Sequence, residues 1–306
     1  MRLGSPVLAL TLLASPALWS CSSTDAAHVD AGPPERRCMQ GENIQACGKN
    51  LVIAHRGGGL LAPEETLVAF ENAVGLGVDV LELDVHATSD GVVVCMHDAE
   101  VNRTTDGTGE IRNMTLAEVK QLDAGYEFTP DDGKTFPYRG KGVEVATLEE
   151  VLTAFPTATF SIEIKQVDPP IADEVLGVIE AAGMFDRVLV ASFDDDTLIA
   201  LRNQRPNLLT SYAAGEIVEF TVLTPEDVGY EPPAPVLQAP MGLADEDHLA
   251  LARNFGVRVH VWTINDAADM ETLLERGAHG IMSDDPALLI KVVDDLGLAA
   301  DKGFAQ

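Results

Sequence analysis

From Asn50 onward two hydrophobic periods alternate along the chain. Short runs in which almost every residue is apolar or β-branched are followed by longer stretches with an apolar residue every third or fourth position. The first pattern predicts buried parallel strands and the second predicts helices with one apolar face. The predicted strands are Leu51–His55, Val80–Val85, Thr159–Lys165, Arg187–Ser192, Leu208–Ala213, Pro235–Gln238, Arg258–Ile264 and Gly280–Ser283. Predicted helices cover Glu64–Gly75, Ile171–Ala182, Asp195–Asn203, Asp245–Phe255, Ala267–Arg276 and Pro286–Leu296. Acidic or amide caps precede several of them, such as Asp194 and the pair Asn265-Asp266. Between Gly215 and Pro235 the prolines interrupt the pattern and no full helix is predicted. Eight strand–helix units in one piece specify an α/β (β/α)8 barrel, the TIM barrel.

The alternation breaks once. Between the second and third strands, positions 90–158 replace a single helix with a further strand at Val92–Met96, a turn-rich piece at Thr104–Gly109, a helix at Thr115–Leu122 and a polar loop at Pro130–Gly142. An insertion there leaves from the C-terminal rim, where barrels of this class carry their active sites.

The N-terminus follows neither pattern. Arg2 and the apolar stretch Pro6–Trp19 are too short to cross a bilayer and have the shape of an export signal, residues 1–20. Leu18-Trp19-Ser20-Cys21 resembles the lipobox of bacterial lipoproteins, which implies a lipidated Cys21 and a membrane-anchored protein facing the periplasm or the exterior. Residues 21–50, rich in Ala, Asp, Gly and Pro, read as a tether, residues 51–297 as the barrel, and 298–306 as a tail. Cys38 and Cys47 are expected to pair in an oxidising compartment, while Cys95 is expected to be a small buried hydrophobe.

Charge narrows the function. With 49 acidic and 20 basic side chains, formal net charge -29, the chain would repel nucleic acid. The same field opposes a phosphate substrate, so a site for one needs a local positive centre.

Four runs end in residues able to build such a centre: His55-Arg56-Gly57, Glu82-x-Asp84, His97-Asp98 and Glu163-x-Lys165. Glu82 and Asp84, two apart on a strand, point to one face, and Glu163 stands at the same level on the next barrel strand. Three oxygen donors with no cysteine among them suit Mg2+ or Ca2+. Histidines move protons, and Arg56 and Lys165 neutralise phosphate. Of the other histidines, His86 is expected to serve at the strand end, and His260 as a satisfied core histidine on the face shared with Arg258 and Trp262; His248 and His279 receive no role.

The ordered set of motifs resembles the glycerophosphodiester phosphodiesterases. It comprises His55-Arg56-Gly57, Ala62 to Leu67 with Ala69-Phe70, Glu82-Leu83-Asp84-Val85 and Thr88-x-Asp90-Gly91. It continues through His97-Asp98, Arg103-Thr104-Thr105, Ile162-Glu163-Ile164-Lys165, Val261-Trp262-Thr263-Ile264-Asn265 and Gly277-x-x-Gly280-Ile281-x-Ser283-Asp284-x-Pro286. The resemblance implies a metal-dependent barrel that hydrolyses small glycerophosphodiesters to glycerol 3-phosphate and an alcohol. In it His55 and His97 act as acid and base, Glu82, Asp84 and Glu163 hold a divalent cation, and Arg56, Lys165, Gln238 and Trp262 contact substrate. Glu65 departs from the family's usual asparagine; it either brings negative charge to the site or faces solvent at the helix start. Two alternatives stand beside this reading: a phospholipase-like enzyme with a larger lipid substrate, which would favour an apolar rim, and a catalytically silent metal- and phosphate-binding lipoprotein.

Overall fold

The computed structural model describes residues 49–298. The expected export signal, lipobox at Cys21, Cys38–Cys47 pair and residues 299–306 of the expected tail lie outside the described residues.

Among the described residues, nine strands and nine α-helices follow in chain order. They are β1 (Leu51–Ala54), α1 (Leu67–Leu76), β2 (Val80–Ala87), β3 (Val93–Cys95), α2 (Leu116–Val119), α3 (Leu148–Ala154), β4 (Phe160–Ile164), α4 (Ala172–Ala181), β5 (Val188–Ala191), α5 (Asp195–Gln204), β6 (Leu209–Thr210), α6 (Ala214–Phe220), β7 (Val236–Pro240), α7 (Glu246–Asn254), β8 (Arg258–Trp262), α8 (Ala267–Arg276), β9 (Gly280–Ser283) and α9 (Pro286–Asp295). Eight strands pair in parallel in the order β6-β5-β4-β2-β1-β9-β8-β7, and a parallel bridge from Ser211 to Val236 joins the two ends. The result is the expected barrel.

Alternation along each strand divides the core in two. Leu81, Leu83 and Val85 on β2, with Val259 and Val261 on β8, face the helices; Leu51, Ile53, Val80, Leu189, Val236 and Met282 fill the interior. Glu82 and Asp84 belong to the interior series, displaced towards the C-terminal rim. Asp84 is in register with Glu163, and Glu82 with Ser161.

Four features differ from the predicted pattern. The first helix begins at Leu67, because the Thr66 hydroxyl caps Ala69 N–H and Glu65 takes a left-handed conformation (φ 60°) that no helix admits. Residues 148–154, read as part of the insertion, form α3, whose Leu148, Val151 and Leu152 join the main core. Its start was marked by a capping box, Thr147 with Glu150. The proline-interrupted span holds a short helix, α6, and the strand predicted at Leu208–Ala213 pairs only over Leu209–Thr210.

Between β2 and α3, β3 pairs antiparallel with the end of β2, and Val94, Met96, Val101, Ile111, Val119, Ala124, Val143 and Val145 build a small separate core. That core carries His97 back to the rim. Cys95 is fully buried in β3, and burial pushes its thiol well above the usual range.

Candidate active site

The turn after β1 sets the first part of the site. Arg56 (φ 53°) and Gly57 (φ 78°) both adopt left-handed backbone, and a Cβ at position 57 would stand 2.9 Å from the Ala69 methyl and 3.0 Å from the Phe70 ring. Only glycine fits. The tight turn aims Arg56 N–H at Glu82 Oε2, 2.8 Å away, and leaves His55 over the barrel mouth.

Glu82, Asp84 and Glu163 offer oxygens that all lie within 4.8 Å of one another. Both Asp84 oxygens and Glu163 Oε1 are shut off from water, and only ion pairs reach them: Lys165 Nζ at 3.1 Å from Asp84 and 2.8 Å from Glu163, and Arg56 Nε at 3.5 Å from Asp84. Burial, then repulsion from Asp84, pushes the Glu82 carboxyl up to about 8 and raises Glu163 as well. A buried, crowded and under-neutralised set of hard oxygen donors fits a divalent cation.

Glu65 adds to that charge. It is 2 % exposed, so the solvent-facing alternative is excluded. Its Oε1 accepts the Asp84 N–H (3.0 Å), its Oε2 has no hydrogen-bond partner, and burial with the neighbouring Asp84 raises its carboxyl well above the normal range. It does not line the cavity.

The cavity over these carboxylates is lined on one side by His55, Arg56, Glu82, His97, Glu163 and Lys165. Its other side is largely apolar, with Phe193, Tyr212, Ile217, Trp262 and Met282. Phe193 and Trp262 meet edge to face with centroids 5.8 Å apart. Gln238 lines the floor and donates to Ser161 Oγ at 2.8 Å. All nine expected site residues except Asp84, which lies beneath the surface, therefore border one cavity.

Each histidine that lines the cavity leans on a carboxylate. His55 Nδ1 stands 2.7 Å from Asp284 Oδ1, and His97 Nδ1 stands 2.7 Å from Asp98 Oδ1. Burial opposes the charged form of both. For His55 the charges of Glu82 and Asp284 outweigh it and the ring titrates above its ordinary value; for His97 burial prevails and the ring titrates below. Arg103 bonds both Asp98 (2.6 Å) and Glu64 (2.6 and 2.8 Å), tying the His97 segment to the first loop, and His86 Nε2 reaches the His97 carbonyl at 3.2 Å.

The matches to known proteins follow this geometry. Residues 55–288 match the model of the glycerophosphoryl diester phosphodiesterase family. A glycerophosphodiester phosphodiesterase of Caldanaerobacter subterraneus is 34% identical over 250 residues, 80% of this chain and 98% of the relative, and one from Bacillus subtilis is 31% identical over 270 residues, 82% and 88%. The chain belongs to the glycerophosphoryl diester phosphodiesterase family. Among solved structures of this family, that from Agrobacterium tumefaciens superposes with a TM-score of 0.66 at 26% identity, covering 78% of this chain and 98% of that one. An Oleispira antarctica phosphodiesterase solved with its product sn-glycerol-3-phosphate superposes at 0.67 and 26%, covering 79% and 96%.

This family member also holds residues that the sequence reading passed over. Asp98 and Asp284 belong to the motifs, but the pattern alone assigns them no task. The signal at Asp284 was the doublet Asp284-Asp285 ahead of α9: Asp285 caps the helix through Leu288 N–H, which leaves Asp284 free for another use. Phe193 stood in a loop with no pattern to mark it. His260 is a correction: it is wholly buried in the barrel as expected, but neither ring nitrogen has a hydrogen-bond partner among the described residues, and burial lowers it to about 3. His248 sits on the outer surface, where Asp245 pairs with it, and His279 is buried with Nδ1 accepting Val259 N–H.

Proposed function

We propose that the protein hydrolyses glycerophosphodiesters to glycerol 3-phosphate and an alcohol with His55 and His97 as the proton-transfer pair, in a reaction dependent on Mg2+ or Ca2+. The observation that carries this reading is the convergence of two carboxylate-backed imidazoles on one cavity that sits over the group Glu82, Asp84 and Glu163. Those three residues would hold the cation, which when bound draws charge from the phosphoryl oxygens. Arg56 and Lys165 offset the charge that develops on the phosphoryl group, and each already balances a buried carboxylate. One imidazole takes a proton from the attacking oxygen and the other returns one to the departing alkoxide. Trp262 and Phe193 supply an apolar wall for the carbon skeleton, and Gln238, held by Ser161, a polar floor.

The test is release of glycerol 3-phosphate from glycerophosphocholine by residues 49–306, first after chelation and then with Mg2+ or Ca2+ restored. Turnover that returns only with metal supports the reading and names the cation; turnover that survives chelation overturns the metal dependence.

One observation favours a larger, lipid-bearing substrate: Phe193, on the cavity wall, is 50% exposed. Choline release followed for glycerophosphocholine and for lysophosphatidylcholine decides between the two, through their ratio of kcat/KM. The silent-lipoprotein reading loses its support, because Glu65 points into the protein and not into the cavity. We further infer from the lipobox that Cys21 anchors the exported protein; Cys21→Ala in the full chain is expected to move it from the membrane fraction to the soluble fraction.

A further inference from the structure

Asp284 is held in one orientation by a second residue. Asn265, in the loop after β8, donates from Nδ2 to Asp284 Oδ2 (2.7 Å), while its Oδ1 accepts both the Asp284 N–H (2.9 Å) and the Ser283 hydroxyl (3.0 Å). The two donors on Oδ1 fix which end of the Asn265 amide faces Asp284: the NH2 must. Asp284 then turns its remaining oxygen to His55 Nδ1 at 2.7 Å. A carboxylate can only accept, so Nδ1 carries the proton and Nε2 is left for the cavity.

We propose that the Asn265–Asp284 clasp is the positioning device that sets the tautomer and orientation of His55, with Asn265 determining the polarity of the whole chain of bonds. The inference rests on the catalytic reading of His55. It joins three strand ends: His55 follows β1, Asn265 follows β8 and Asp284 follows β9. Asp98 has a different partner, the guanidinium of Arg103, which donates and carries charge but has no accepting end. Only the His55 arm contains an amide whose reversal would reverse the hydrogen bonds.

That chemistry gives a sharp test. In Asp284→Asn, Asn265 still offers an NH2, so the new amide must turn its oxygen to Asn265 and its own NH2 to His55 Nδ1. Nδ1 then becomes the acceptor and the proton moves to Nε2, the wrong tautomer for the cavity. In the double variant Asp284→Asn/Asn265→Asp, residue 265 accepts on both oxygens. The amide at 284 therefore gives its NH2 to residue 265 and presents its oxygen to His55 Nδ1–H, and the original tautomer returns.

The experiment measures kcat and KM on glycerophosphocholine with saturating metal, and the 15N shifts of the His55 ring, for wild type, D284N, D284N/N265D, H55Q and H55Q/D284N. The expected result is a fall in kcat of about 10^3-fold in D284N with little change in KM. The ring proton should move from Nδ1 to Nε2, the swapped pair should recover at least ten-fold of the loss with Nδ1–H restored, and D284N should cause no further loss in H55Q. A structural contribution alone would not be rescued by exchanging the two side chains. Full activity in D284N while H55Q is inactive overturns this inference and leaves the catalytic reading standing; full activity in H55Q overturns both. Loss in D284N with an unchanged Nδ1 proton, or no recovery in a folded double variant, also overturns the clasp.

Discussion

At the level of single residues, burial decides what each ionisable group contributes. Glu82 and His97 border the same cavity and carry different proposed roles, so their removal should read differently. His97→Ala is expected to lower kcat at least 10^3-fold while Mg2+ still raises the melting temperature, whereas Glu82→Gln should lose both turnover and most of that thermal shift; kinetics and melts with and without EDTA check this. His260 supplies a contrasting case, because it is buried, unpaired and held neutral with a folded value of about 3. The unfolded chain takes up a proton below about 6.5, so His260 costs stability as pH falls from 6.5 towards 3. His260→Leu should keep or raise stability at pH 7 and reduce the acid slope by up to about 1.4 kcal/mol per pH unit, measured by urea unfolding at pH 7, 5.5 and 4.5.

At the level of elements, the loop from β1 to α1 carries an unusual load. It contains Arg56 and Glu65, both in left-handed backbone, and Gly57, where no side chain fits. It also presents His55 to the cavity and sends Glu65 behind β2 to the Asp84 N–H. Gly57→Ala combines a disfavoured φ with contact against Ala69 and Phe70, so it should destabilise by about 2–4 kcal/mol and lower kcat together with stability. A chemical denaturation series with parallel kinetics measures both. The differences from the predicted elements are also local matters. Helix α3 has a legible capping box but lies inside the span that breaks the alternation, and Glu64 and Glu65 are strong helix formers that stand where the tertiary structure requires a left-handed turn.

For the whole molecule, closing the barrel gathers buried acids from two strands into one low-dielectric site, and the energy of that crowding shows in the pH dependence. Glu82 titrates near 8 in the folded metal-free state and at about 4.5 when unfolded. Its folded value is raised, so the stability it confers is full below about pH 4.5 and is lost as pH rises through 8. Metal-free protein should therefore weaken between pH 6.5 and 8, the window above the ordinary histidine range. Mg2+ should flatten that loss and add about 2.7 kcal/mol at one hundred times its Kd. Melts at pH 6.5 and 8, with EDTA or with Mg2+, measure the effect; equal melting temperatures in all four conditions would dissociate the carboxylates from any metal.

The sequence by itself determined the barrel, the face on which Glu82 and Asp84 lie, and the grouping of His55, His97, Glu163, Arg56 and Lys165. Hydrophobic period and strand register are local properties, and residues at strand ends of a closed barrel have one place to converge. Only the tertiary structure decided what stands behind them. Asp284 reaches His55 across 229 positions, Gln238 reaches Ser161 across 77, and Glu65 reaches the Asp84 N–H across 19. No period in the chain encodes such pairs, because each depends on which side chains closure of the barrel places within hydrogen-bond distance. The same closure leaves His260 without a partner and brings Phe193 against Trp262.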